Sequence, residues 1–179
     1  MKALQPPSFE AVVIQDQLVR EAVLGRFARS LRGKPPVTTA LILGAVAVHL
    51  LVGVTDHLYL ERDLSWVLFG GRTDLSLFVW GARLQEAVPL YKGSQPVVLE
   101  PDAWRMFSCI FLHGGLMHLA LNMLALFGLG RLCEAVFGPA RMLWLFLMSG
   151  LAGSLLSHLG GTGSSVGASG AVFGLMGAG

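Results

Sequence analysis

FLHGGLMHLALNMLALFGLG, residues 111–130, carries two polar side chains deep in a run otherwise apolar enough for a membrane. His118 and Asn122 are four residues apart, so on a helix they project from one face about one turn from each other. Polar groups inside a bilayer are costly and usually face a protein interior or a water-filled cavity. Taken alone, the pair reads first as hydrogen-bonding glue between membrane helices, and second as part of a site. His113 lies nearer the interface and needs no special role there. A metal site on His113 and His118 is disfavoured, because they stand five apart rather than four and no carboxylate accompanies them.

The composition around this run is that of a membrane protein. Of 179 residues, 54% are hydrophobic and only 13% charged, with a mean hydropathy of +0.65, too apolar for an ordinary soluble domain. A hydrocarbon core of about 30 Å takes about 20 residues of helix. Windows at 37–55, 109–130 and 142–159 are long enough, and a fourth begins near 166 and stops short. The polar lead before the first window is too long for the n-region of a secretory signal peptide. The expected fold is all-α, a polytopic transmembrane helical bundle, with 1–36 as an N-terminal segment, 37–179 as the membrane domain and 56–108 as a long loop between the first two crossings.

Charge orients the chain. The lead holds Lys2, Arg20, Arg26, Arg29, Arg32 and Lys34 against Glu10, Asp16 and Glu21, whereas 56–105 holds five Lys/Arg among seven acidic residues. The positive-inside rule puts the N-terminus in the cytoplasm and the long loop outside. Topology accounts for the net charge of +2, so no nucleic-acid partner is implied. Val12, Val19, Val23 and Phe27 recur at helical spacing, predicting an accessory amphipathic helix that ends before Pro35–Pro36. Cys109 and Cys133 fall near opposite ends of the second crossing, about 36 Å apart along a helix, too far for an intrachain disulfide.

The counted crossings bring His118 and Asn122 into the same outer layer as Ser169, near the start of the fourth crossing. GGTGSSVGASGAVFGLMGAG, residues 160–179, surrounds that serine with glycine. Gly170 and Gly174 form a G-x-x-x-G pair, as do Gly163 and Gly167, and such pairs let helix backbones approach closely. Gly167 also permits an irregular approach to Ser169, whose helix would open with unpaired amide donors. A hydroxyl nucleophile beside fixed donors is what acyl transfer needs. Simple helix packing explains the glycines equally well. A G-x-S-x-G elbow fails at Ala171, and no phosphate loop is present.

AWRMF at 103–107, HGGLMHLALNM at 113–123, GRLCEAVFG at 130–138 and GASGAVFGLMG at 167–177, in that order, resemble the rhomboid family of intramembrane serine proteases, over roughly 37–179. The resemblance implies a rhomboid-like helical bundle cleaving transmembrane segments of membrane proteins in contact with lipid, with no metal or organic cofactor. It implies Ser169 as a buried nucleophile, and His118, Asn122 and the Ser169 amide as the oxyanion hole. Trp104, Arg105, Glu134, Gly167, Gly170 and Gly174 fall on structural positions, and Phe173 on an aromatic position that stacks on the catalytic histidine. That histidine belongs to a sixth helix that the 179 residues do not reach, which predicts a truncated chain without activity of its own. His158, His49 and His57 are the weaker candidates for a substitute base. The alternative is a non-catalytic rhomboid-like protein that binds transmembrane helices. The expected location is a bacterial plasma membrane, with the N-terminus cytoplasmic.

Overall fold

The computed structural model describes residues 9–61, 63–69, 72, 74–84, 86–92, 95–161 and 164–178. It divides into two units, 1–34 and 35–179. The first holds α1 (Phe9–Arg32). Val19 is exposed on it, and the side chains of Val12, Val23 and Phe27 lie outside the described ones. Arg20 Nε donates to Asp16 at 2.8 Å across one exposed turn, a contact contributing a few tenths of a kcal/mol, roughly.

The second unit runs α2 (Pro36–Leu60), α3 (Leu64–Phe69), α4 (Asp74–Trp80), β1 (Val88–Lys92), β2 (Gln95–Leu99), α5 (Arg105–Ser108), a 3₁₀ turn at Cys109–Phe111, α6 (Leu116–Phe137), α7 (Pro139–Leu159) and α8 (Ser169–Ala178). It is a mostly helical bundle. Three stretches, Pro36–Leu58, Leu116–Phe137 and Pro139–Leu159, are long and apolar enough to cross a membrane, and Ser169–Ala178 is a shorter apolar helix. Proline opens both α2 and α7, where its missing N–H costs nothing and its fixed φ suits the first turn.

Two features differ from the sequence expectation. The helix expected over 109–130 begins instead at Leu116 and continues to Phe137. Residues 109–112 are as apolar as the helix, but they turn and then extend through Leu112, and Gly115 is extended with φ 173°. His118 therefore sits in the first turn of α6 and Asn122 in the second. The long loop also contains a small antiparallel hairpin, β1 with β2, in register from Val88 opposite Leu99 to Lys92 opposite Gln95.

Long-range contacts set the helix directions. The Glu134 carboxylate, near the end of α6, accepts from the amides of Val37 (3.0 Å) and Thr38 (2.9 Å) and from Thr38 Oγ1 (2.7 Å) at the start of α2. The end of α6 thus meets the beginning of α2, and the two helices are antiparallel. Arg83 of the long loop reaches Ser157 and His158 at the end of α7, and the adjoining Ala82 packs in one cluster with Val52 in the second half of α2, which places that end of α7 with the end of α2. Gly167, just before α8, lies against His118, just inside α6, so α8 and α6 start at the same end.

Glu134 does in trans what an N-cap side chain does locally, since α2 has no side-chain cap of its own and its first amides need acceptors. Glu134→Ala is expected to strand these buried donors and lower stability by about 3 kcal/mol, with Glu134→Gln losing less. Thermal unfolding in detergent measures both.

α8 is held to α7 by close backbone approach. A Cβ on Gly153 would stand 3.0 Å from the Gly170 Cα, and one on Gly170 would stand 3.3 Å from the Gly153 Cα. Any side chain at either position forces the helices apart. Gly174 meets Ser149 in the same seam, so Gly170 and Gly174 both face α7. Gly167 takes no part in a helix seam, because it precedes α8, and Gly163 lies outside the described residues. Leu119, Met123 and Leu126 of α6 share one buried cluster with Ala171 and Leu175 of α8 and Phe146 of α7.

Candidate active site

The first turn of α6 and the approach to α8 build the candidate site. Gly167 has φ +117°, a conformation that L side chains rarely adopt. Its amide donates to the Cys109 carbonyl at 2.8 Å. The position where a Cβ would stand is 2.8 Å from both Cε1 and Nε2 of His118. Glycine is required here twice over, by its backbone angle and by the imidazole that occupies the space of a side chain. The Nε2 edge of His118 is thereby turned toward the start of α8, while Nδ1 lies on the side of Gly114.

Ser169, two residues on, is the first residue of α8. Its side chain is exposed, which corrects the expectation of a buried nucleophile. The serine shares its face of α8 with Phe173 and Met176, exposed by 66% and 56%, at helical spacings of four and three. None of the described helices covers that face, so no described ring stacks on Phe173. Asn122 is 8% exposed, and its Nδ2 donates to the His118 carbonyl at 2.9 Å. One amide hydrogen is engaged with its own helix, and the second remains for another acceptor.

A polar wall stands behind His118. The His113 and His118 rings meet edge to face at 5.2 Å between centroids, and His113 is 1% exposed. His113 Nδ1 is 3.3 Å from the Phe111 carbonyl. A carbonyl only accepts, so the proton sits on Nδ1. Burial first, then the neighbouring His118, pushes the His113 pKa down to about 4, which keeps the ring neutral at physiological pH. His49 of α2 is also buried, 2% exposed. The buried stripe Ala45, His49, Val52 and Asp56 has spacings of four, three and four, the spacing of one helix face.

Trp104 and Arg105 organise the long loop. Arg105 Nε donates to the Glu100 carbonyl at 2.8 Å, and Nη1 to the carbonyls of Phe78 (2.7 Å) and Ala82 (3.3 Å). Its guanidinium lies 4.7 Å from the centre of the Trp104 ring, within cation–π range. Sequence spacing did not single out Arg83, although it is 1% exposed and bridges the loop to α7. Its pairing spans some 75 residues, and no local pattern marks such a contact.

Residues 100–179 match the family model described as "Rhomboid domain". Over this segment the chain is similar to rhomboid domains. "RHOMBOID-like protein 1" of Arabidopsis thaliana is 51% identical over 83 residues, covering 46% of this chain and 21% of that protein. "Rhomboid protease GluP" of Bacillus subtilis is 40% identical over 82 residues, 46% of this chain and 16% of GluP. "Inactive RHOMBOID-like protein 8" of Arabidopsis thaliana is 37% identical over 78 residues, 43% of this chain and 22% of that protein. The matched stretch thus spans less than a quarter of the length of each of these three relatives. The similarity to a rhomboid domain and the three apolar helices mark this as an integral membrane protein. The rhomboid relatives are mostly from a plant, so the expectation of a bacterial membrane finds no support in them.

Proposed function

We propose that residues 37–179 form the nucleophile and oxyanion part of an intramembrane serine endopeptidase that cleaves transmembrane segments, with the N-terminus cytoplasmic and the start of α8 in the outer leaflet. The observation that carries this reading is the His118 imidazole, packed with its Nε2 edge against Gly167, two residues before the hydroxyl of Ser169. Ser169 Oγ attacks a carbonyl carbon of a locally unwound substrate segment and gives its proton to a general base. The oxygen that becomes negative is held by His118 Nε2–H, the second amide hydrogen of Asn122 and the Ser169 amide. His118 must then carry its proton on Nε2. The C–N bond breaks as the amine leaves with the base's proton, and water hydrolyses the acyl ester.

The four histidines other than His118 are the candidates for the base among the 179 residues. His158 is engaged with Arg83, His113 is buried against His118, His49 is buried on α2, and His57 is exposed at the end of α2. None of the described contacts brings any of them to Ser169. The exposed Ser169–Phe173–Met176 face favours a second reading, in which the same scaffold binds a transmembrane helix there without cutting it. A serine-directed phosphonate separates the two. Covalent labelling at Ser169 in a preparation that also supplies the base, lost in Ser169→Ala, is the expected result for the protease, and the 179 residues alone are expected to stay unlabelled; helix binding without labelling in both is the result for the scaffold.

A further inference from the structure

Arg83 is an interior cation at the crossing of two connections. Its amide donates to the Ser165 carbonyl at 3.0 Å, and its carbonyl accepts from the Ser165 amide at 3.1 Å. This reciprocal pair is an isolated antiparallel bridge, outside any named strand. The guanidinium then turns to the end of α7, with Nη1 3.3 Å from His158 Nδ1 and Nη2 donating to Ser157 Oγ at 3.3 Å. Arginine has no acceptor and stays charged, so His158 accepts at Nδ1 and holds its own proton on Nε2. One residue thus grips the last turn of α7 through its side chain and the approach to α8 through its main chain.

The course of this approach fixes the place of the serine. Two residues after Ser165, Gly167 is tied to the Cys109 carbonyl and pressed against His118, and Ser169 comes two residues later. The polypeptide between the Arg83-bonded end of α7 and Ser165 is rich in glycine, which loses more conformational entropy on ordering than any other residue. We propose that Arg83 is a positioning residue, clamping the end of α7 and Ser165 together so that Gly167 stays seated on His118 and Ser169 is presented at a fixed place. It rests on the reading of Ser169 as the nucleophile only for its catalytic consequence; the clamp itself is a matter of geometry.

Hydrogen–deuterium exchange on the full chain in lipid nanodiscs tests it without requiring catalysis. Arg83→Leu is expected to speed exchange at the Ser165 and Gly167 amides by about tenfold or more, as a local opening would. The amides of Thr39 and Gly138, bonded at the opposite end of the bundle, keep their wild-type rates. His158→Leu removes one acceptor and raises exchange at the same two amides, while His158→Gln, whose carbonyl can accept from the guanidinium, restores protection. Wild-type exchange at Ser165 and Gly167 in Arg83→Leu overturns the proposal, as does equal acceleration at Thr39 and Gly138. If Arg83→Leu does not fold, the two His158 variants decide alone, and Gln behaving like Leu overturns it. Ser169→Ala leaves these rates untouched, so loss of the protease reading and loss of the clamp are separate results.

Discussion

Ser169→Ala is expected to abolish cleavage of a transmembrane model substrate, a fall of about 10⁴-fold or more in kcat in any preparation that cleaves it. In the proposed mechanism the hydroxyl forms the covalent bond to the acyl group, and alanine has nothing to put in its place. Substrate binding is expected to survive, because the apolar face of Phe173 and Met176 is unchanged. The exposed serine at the head of α8 is the physical basis: the oxygen is accessible from the face where a substrate helix would lie. Cleavage persisting in Ser169→Ala would move the nucleophile elsewhere and remove the reason for reading the glycine-rich approach as part of a site.

The proposed oxyanion donors come next in size. His118→Ala and Asn122→Ala are each expected to lower kcat by about 10²–10³-fold while KM changes little, because their hydrogen bonds strengthen only as charge develops on the carbonyl oxygen. The double variant should fall short of the product of the two, as groups acting on one oxygen are not additive. The two positions differ in their structural side effects. Asn122 also bonds the His118 carbonyl within its own helix, whereas His118 fills the space over Gly167, so its removal leaves a hole beside the approach to Ser169. Asn122→Leu, close in volume and without a donor, isolates the electrostatic part. Equal effects on KM and kcat/KM, with kcat preserved, would assign both residues to uniform binding or to packing.

Much of this architecture is legible in the sequence because membrane helices are written in composition. The apolar windows lead directly to α2 and α7, and the four-residue spacing of His118 and Asn122 places them on one face of α6. The beginning of α6 is less legible. Residues 109–112 have the hydropathy of a membrane helix, and only the backbone of Gly115, extended at φ 173°, shows where the helix starts. The β1–β2 hairpin left a signal in Val97 and Val98 and in the Gly-Ser pair at 93–94, but Pro89 and Pro96 weaken it. Gly167 could be read as an irregular approach because glycine alone tolerates positive φ. That it carries His118 on its open side is a tertiary fact. Arg83 and the trans-acting cap at Glu134 are legible only in three dimensions, since each joins residues some 75 to 97 positions apart. The exposure of Ser169 is equally invisible in the sequence, for it depends on which helix faces are covered.

In the proposed site the hydroxyl at 169 and the imidazole at 118 lie together at one end of the bundle. A cysteine pair tests it most directly, in a chain whose native Cys109 and Cys133 are replaced by alanine and which is kept in lipid. Ser169→Cys with His118→Cys is expected to be joined rapidly by a short bifunctional thiol reagent, giving an intramolecular product that mass spectrometry maps to the two positions. No link at that pair, together with efficient linking of Ser169→Cys to Leu124→Cys on the exposed apolar side of α6, would contradict it.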